Sequence, residues 1–276
     1  MKLVASMIVK DEAGKYLRES IVALQQFCDE IRAVDDNSSD GSHKIMAGMG
    51  VRVLRNDYSM FYEHEGNARQ KLLDWTMEAE PTHVLVVDGD EIVSGGQKLR
   101  EQMMEPQPEL TLRERRQARG TRGSRLGTVN VWRLQMQEIW GATEDHLLVR
   151  QDGGWKEHPV PICYAVPPDH HTNRALRRHW RMPDRALACG RIPAHVIGSS
   201  NRAQTPVSAD ILHFGWSCEA DRYMRHQRYV KHDGGAHHAS KHLDSIMWED
   251  SQVQLSTRAW PVEVDKHKML ERINRP

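Results

Sequence analysis

The chain of 276 residues lacks any apolar stretch approaching the roughly 20 residues that a helix needs to cross a bilayer. An integral membrane protein is therefore not expected. Its four cysteines, Cys28, Cys163, Cys189 and Cys218, are scattered with no CxxC pair, which argues against a zinc ribbon or a disulfide framework and for reduced thiols. Formal net charge is zero, so bulk charge does not draw the whole molecule to nucleic acid. No internal repeat or low-complexity tract is evident. The opening MKLVASMIVKDE meets charge too soon for a signal peptide and reads as a strand, so the expected location is the cytoplasm.

The first ninety residues alternate between strand and helix patterns. LVASMIV (3–9), EIRAV (30–34), VRVL (51–54) and HVLVV (83–87) read as buried strands. Between them, residues 15–27 place Leu17, Ile21, Leu24 and Phe27 at helical spacing, residues 40–50 read as a helix ending in glycine, and 65–79 as a helix closed before Pro81. This order predicts an α/β fold: a mostly parallel central sheet with helices on both faces. Ligands in such sheets bind beyond the carboxyl ends of the strands. Asp11, Asp35–Asp36 and Asp88–Asp90 all follow strands and can converge there. Residues 128–137, 146–151 and 211–216 read as further strands, and 218–232 as a helix. The expected organisation is a catalytic core over 1–160 with an irregular extension, 161–276, packed on it on the acceptor side rather than folding as a separate domain.

VLVVDGDEIV (84–93) places Asp88, Asp90 and Glu91 together at the end of a buried strand. Like charges this close repel and resist desolvation, so something must compensate them. A hairpin turn is one plain alternative, since Asp-Gly favours tight turns. An EF-hand loop fails, because Ile92 and Val93 stand where that loop needs an Asp or Asn and a Gly. A haloacid-dehalogenase-type phosphatase carries its DxD after the first strand, not the fourth. Two spaced carboxylates after a hydrophobic strand suit a cation bridging to a diphosphate.

Four segments in order carry a resemblance: IVKDE (8–12), VDDNSSDGS (34–42), NARQ (67–70) and VVDGDE (86–91). Together they resemble the nucleotide-sugar-binding half of GT-A glycosyltransferases of family 2, in its phage-type form, across residues 3–93. The resemblance implies a Rossmann-like GT-A fold and a metal-dependent, inverting transfer from a UDP-sugar to an acceptor hydroxyl. It implies that Val9, Asp11 and Asp36 lie beside the nucleotide, with Asp36 accepting from uracil. It places Arg69, Asp88 and Gly89 at the donor, and gives Asp90, helped by Asp88, to Mn²⁺ or Mg²⁺. His213 and His158 are candidates for a further metal contact. A general base would come from a TED-like motif, here Thr143-Glu144-Asp145, with Asp145 favoured over Glu144 and Glu157.

Residues 112–125 carry six arginines against one glutamate, a composition suited to phosphate contacts. Arg113, Arg115, Arg116 and Arg119, with Glu91, are candidates for the acceptor side, and DNA bearing a hydroxymethylated pyrimidine offers both a hydroxyl and a polyanionic frame. Protein and saccharide acceptors stay open. A nucleotidyltransferase and a non-catalytic nucleic-acid-binding protein are the competing readings. The former would normally show a glycine- and base-rich loop after the first strand, where VKDEAGK stands.

Overall fold

The computed structural model describes residues 1–61, 64–105, 130–153, 157–167, 182, 191–193, 209–232 and 245–274. Strands β1 (Leu3–Val9), β2 (Glu30–Asp35), β3 (Arg52–Arg55) and β4 (His83–Asp88) alternate with helices α1 (Leu17–Gln25), α2 (Ser42–Gly48) and α3 (Glu65–Met77). The four strands are parallel, in the spatial order β4-β1-β2-β3. Every residue of β1 is buried, because helices cover both of its faces. Ala5, Met7 and Val9 share a core with Leu17, Ile21 and Leu24 of α1, while Ile8 packs with Val34 and with Ala68 and Leu72 of α3. Leu17, Ile21 and Leu24 recur at the spacing of one helix face and are fully enclosed. Burying three such side chains contributes ~5–9 kcal/mol of transfer free energy. The expected α/β sheet flanked by helices is what the chain forms.

The remaining elements extend this block. They are β5 (Glu91–Ser94), α4 (Gly96–Met104), β6 (Val131–Ala142), β7 (His146–Arg150), β8 (His158–Ala165), β9 (Asp210–His213), α5 (Glu219–His232), β10 (Leu255–Ala259) and α6 (Lys266–Ile273). β8 joins β4 to β6 through antiparallel pairs on both sides, and β7 and β10 continue outward. β5 does not turn back onto β4. It pairs antiparallel with β9, which runs parallel to β6, so DGDE is not a hairpin turn.

Two registers bring the acidic groups together. Val9 lies opposite Asp35, and Ile8 opposite Asp88, so the loops after β1, β2 and β4 leave the sheet at one level. On the other side of the turn, Glu91 pairs with His213 and His213 with Glu138, which puts three ionisable residues side by side on β5, β9 and β6. Among the described residues, no helix is long and apolar enough to cross a membrane, and none of the three described cysteines forms a disulfide.

Candidate active site

The loop after β2 is tied to the loop after β1 by its own polar side chains. Asp11 takes a left-handed backbone (φ +53°), costly for a residue other than glycine. Its carboxylate accepts the Ser39 N–H at 2.8 Å, and its own N–H donates to Ser38 Oγ at 3.0 Å. The Glu12 N–H donates to Ser42 Oγ at 2.8 Å and the Ala13 N–H to Asp40 at 2.7 Å, while Asp40 also accepts the Ser42 N–H at the start of α2. Much of VDDNSSDGS is thus spent on fixing the rim of the site.

Asp36 is fully buried at that rim. Its carboxylate accepts from Asn56 Nδ2 (2.8 Å), Ser59 Oγ (2.6 Å), and the N–H groups of Met60 (2.8 Å) and Phe61 (3.1 Å). In this conformation Asp36 organises the loop after β3, and Val9 lies in the wall beneath it, its carbonyl accepting the Asp36 N–H at 2.8 Å.

The carboxylates of DGDE are compensated by cations from distant parts of the chain. Asp88 lies 3.6 Å from Arg69 Nη1 and 3.1 Å from Arg191 Nη2. Glu91 is almost wholly buried; it accepts from Arg191 Nη1 at 2.6 Å and takes the Asp88 N–H at 2.9 Å. Burial pushes the Glu91 carboxyl upward, and Arg191 offsets only part of that. Glu91 is therefore an internal brace, and the expectation that it faces an acceptor is not what the geometry shows. Arg69 is a buried residue of α3, bonded to Glu65 at 2.7 Å and with its guanidinium 5.4 Å from the Phe61 ring.

Asp90 is buried as well. Its Oδ2 meets the Arg225 guanidinium from α5 and lies 3.4 Å from His213 Nε2. Burial opposes the charge on Asp90, but Arg225 and His213 outweigh it and hold the carboxyl well below its ordinary range. Burial likewise opposes a charged imidazole at His213, yet Glu138, which bonds Nδ1, and Asp90 together hold it well above the usual histidine range. Glu12 closes the cluster at 3.9 Å from Arg225, and burial followed by repulsion from Asp90 raises it to about 7. Two glycines face the cluster, and the second leaves no room for a side chain. A Cβ at Gly89 would stand 3.3 Å from Glu12 Cγ, and one at Gly215 would stand 2.6 Å from His213 Nε2 and 2.9 Å from both Arg225 Nη1 and Asp90 Oδ2.

The other candidates are dispersed. Glu144 pairs with Lys266 of α6 at 3.7 Å, and Asp145 is exposed in the same β6–β7 turn, whose Thr143 carbonyl accepts from Trp260. That turn faces the C-terminal helix. Glu157 is exposed, and His158 sits opposite Met136 at the start of β8. Arg113, Arg115, Arg116 and Arg119, and the histidine- and glycine-rich stretch from 233 to 242, lie outside the described residues. Reading the sequence missed Glu12, Glu138, Arg191 and Arg225 as members of the cluster. Glu138 had one signal, a charge at the position where the alternation of Arg133, Leu134, Gln135, Met136 and Gln137 calls for an apolar residue.

No family model matches the chain, and no curated protein does. Partial likenesses exist among solved structures. A glucosyl-3-phosphoglycerate synthase from Mycobacterium tuberculosis, in complex with Mg²⁺ and uridine diphosphate, is 19% identical over 33% of this chain and 34% of that one, with a TM-score of 0.27. A mannosyl-3-phosphoglycerate synthase from Rubrobacter xylanophilus is 20% identical over 52% and 44%, TM-score 0.29. A 4-diphosphocytidyl-2C-methyl-D-erythritol synthase is 16% identical over 75% and 88%, TM-score 0.36. The chain spans about a third of the length of the first of these, and likenesses of this strength identify no family.

Proposed function

We propose that this chain transfers a sugar from a nucleoside-diphosphate sugar, a UDP-sugar, to an acceptor hydroxyl. The observation that carries the reading is the convergence, at the carboxyl edge of the parallel strands, of Asp88 and Asp90 with Arg69, Arg191, Arg225 and His213. Paired carboxylates interleaved with guanidinium groups suit a site that handles a cation and a polyphosphate together. Below that edge, β4 acts as a rigid post, buried along Val84–Val87.

The donor set suits a divalent ion that shares its shell with the nucleotide. Asp90 Oδ2 and His213 Nε2 are an oxygen and a nitrogen 3.4 Å apart, a separation that neighbouring ligands of one ion can adopt. Gly215 keeps that side free of a Cβ. Asp88 Oδ1 is buried without a hydrogen bond, though 3.6 Å from Arg69. Among the described residues, no three His, Cys, Asp or Glu side chains form a complete ligand group, so Asp90 and His213 would hold Mn²⁺ or Mg²⁺ with diphosphate oxygens and water filling the remaining positions. The ion's charge would offset that of the departing diphosphate. Glu138, bonded to Nδ1, directs Nε2 of His213 into the site. Arg191, pinned between Asp88 and Glu91, presents a fixed positive charge beside the same position.

The acceptor belongs to the same proposal. The arginines of 112–125 favour a polyanionic acceptor such as DNA carrying a hydroxymethylated pyrimidine. Titration with UDP in the presence and absence of Mn²⁺ tests the donor site. Saturable UDP binding that depends on Mn²⁺ and is lost in D90N is expected; UDP binding that ignores both refutes the reading.

A further inference from the structure

Arg225 occupies the place on Asp90 that a cation would need. Its guanidinium and the His213 ring share one oxygen, Asp90 Oδ2, in a pocket that is almost closed to solvent. A second positive group cannot enter that oxygen's coordination shell while the guanidinium stays, because both need the same lone pairs and two cations at contact distance repel. Arg225 also has other groups beside it. Its Nη2 is 3.9 Å from Glu12, and its Cζ lies 5.4 Å from the face of Trp216, along which a guanidinium can slide. The helix that carries it is held independently, one turn earlier. Arg222 donates to the carbonyls of Trp216 at 2.9 Å and Trp140 at 3.1 Å and stacks 4.2 Å from the Trp140 ring. The Arg225 side chain can therefore change partners without α5 leaving the sheet.

Charge decides what the exchange requires. Around Asp90 stand two further carboxylates, Glu12 and Glu138, and the cations Arg225 and Lys15, the last bonded to Glu12 at 3.2 Å. A divalent ion on Asp90 takes the anion that Arg225 was using, and the displaced guanidinium then needs an anion of its own. A diphosphate bound to the same ion supplies that anion at the right distance and offers the planar fork of arginine a bidentate match.

We propose that Arg225 is an exchange residue, pairing with Asp90 before ligands bind and passing to the donor's diphosphate when a divalent ion replaces it on Asp90. The inference rests on the reading of Asp90 and His213 as the cation site. It makes ion and nucleotide bind cooperatively, since each removes the obstacle to the other.

The test is Mn²⁺ titration of the full chain, followed by calorimetry or the paramagnetism of the free ion, with and without UDP, for wild type, R225M, R225K and D90N. Wild type binds Mn²⁺ weakly alone and at least ~10-fold more tightly with UDP, the scale set by one charge-assisted hydrogen bond. R225M binds Mn²⁺ alone ~10-fold more tightly than wild type, gains little further from UDP, and is protected against heat by Mn²⁺ more than wild type is. R225K, which keeps a cation there, stays near wild type. If R225M does not fold, R225Q carries the same expectations. Wild-type Mn²⁺ affinity in R225M without UDP overturns the exchange. D90N separates the two ideas: if it binds Mn²⁺ like wild type, the cation site itself is misplaced; if it loses Mn²⁺ while R225M is unchanged, only the exchange fails.

Discussion

Gly215 has no side chain where three charged groups converge, and its replacement probes the site with a single methyl. In G215A the new Cβ meets His213, Arg225 and Asp90 at under 3 Å, so all three must shift to admit it. Overpacking of this kind costs about 1–3 kcal/mol, and UDP–Mn²⁺ affinity should fall at least ~10-fold; a calorimetric titration reads the affinity and a urea melt the stability. A second residue gives the pH dependence. Burial, then the positive N-terminus, lowers His83 to about 4 from an ordinary value near 6.5. The unfolded chain therefore binds more protons than the folded one between about pH 4 and 6.5, and the stability owed to neutral His83 is lost as pH falls through that window. H83Q should remove about 1–2 kcal/mol of that acid loss once solvent screening is counted. Urea melts of both proteins at pH 4.5 and 7.5 measure it, and identical pH profiles would refute it.

At the scale of elements, the segment 245–259 is pinned to the sheet through Arg150. This arginine is wholly buried, forks onto Asp152 through Nε and Nη2 at 2.8 Å each, donates to the Ser245 carbonyl at 2.8 Å and stacks 4.5 Å from Trp140. R150A should cost about 3–5 kcal/mol, because it strands Asp152 and empties a packed space. R100A, which breaks a largely exposed pair with Asp29, should cost about 1 kcal/mol or less from that pair. Chemical denaturation of the two variants gives the contrast. The same distinction between local and distant partners explains what the sequence revealed. β1 and β4 were legible because burial on both faces writes them as nearly continuous apolar runs, and β2 because Ile31, Ala33 and Val34 mark its buried positions around Arg32. β9 was legible as the apolar start of 211–216, whereas β5 has four residues and pairs with β9, and β10 is mostly exposed and shows no apolar alternation. Asp11, Asp36, Asp88 and Asp90 were legible because they stand at or just after the ends of strands. The cationic side was not: Arg191 and Arg225 reach DGDE from 100 and 135 residues away, and nothing local marks them.

For the whole molecule, the zero net charge conceals an uneven distribution, with six arginines among residues 112–125. If they carry a DNA acceptor, replacing Arg113, Arg115, Arg116 and Arg119 with Ala should weaken duplex or single-strand binding at low salt by at least ~10³-fold and flatten its salt dependence, since each lost phosphate contact lowers the slope by about 0.7–0.9. Negligible affinity in the wild type, or no change in the variant, would remove DNA from consideration and leave protein and saccharide acceptors. The donor half of the proposal does not depend on that outcome. Incubation of the full chain with a panel of UDP-sugars and Mn²⁺, reading free UDP, tests it most directly. UDP release with at least one donor, abolished by D90A and by chelation, is the expected result. No release and no transfer with any donor, or release that D90A leaves intact, would contradict it.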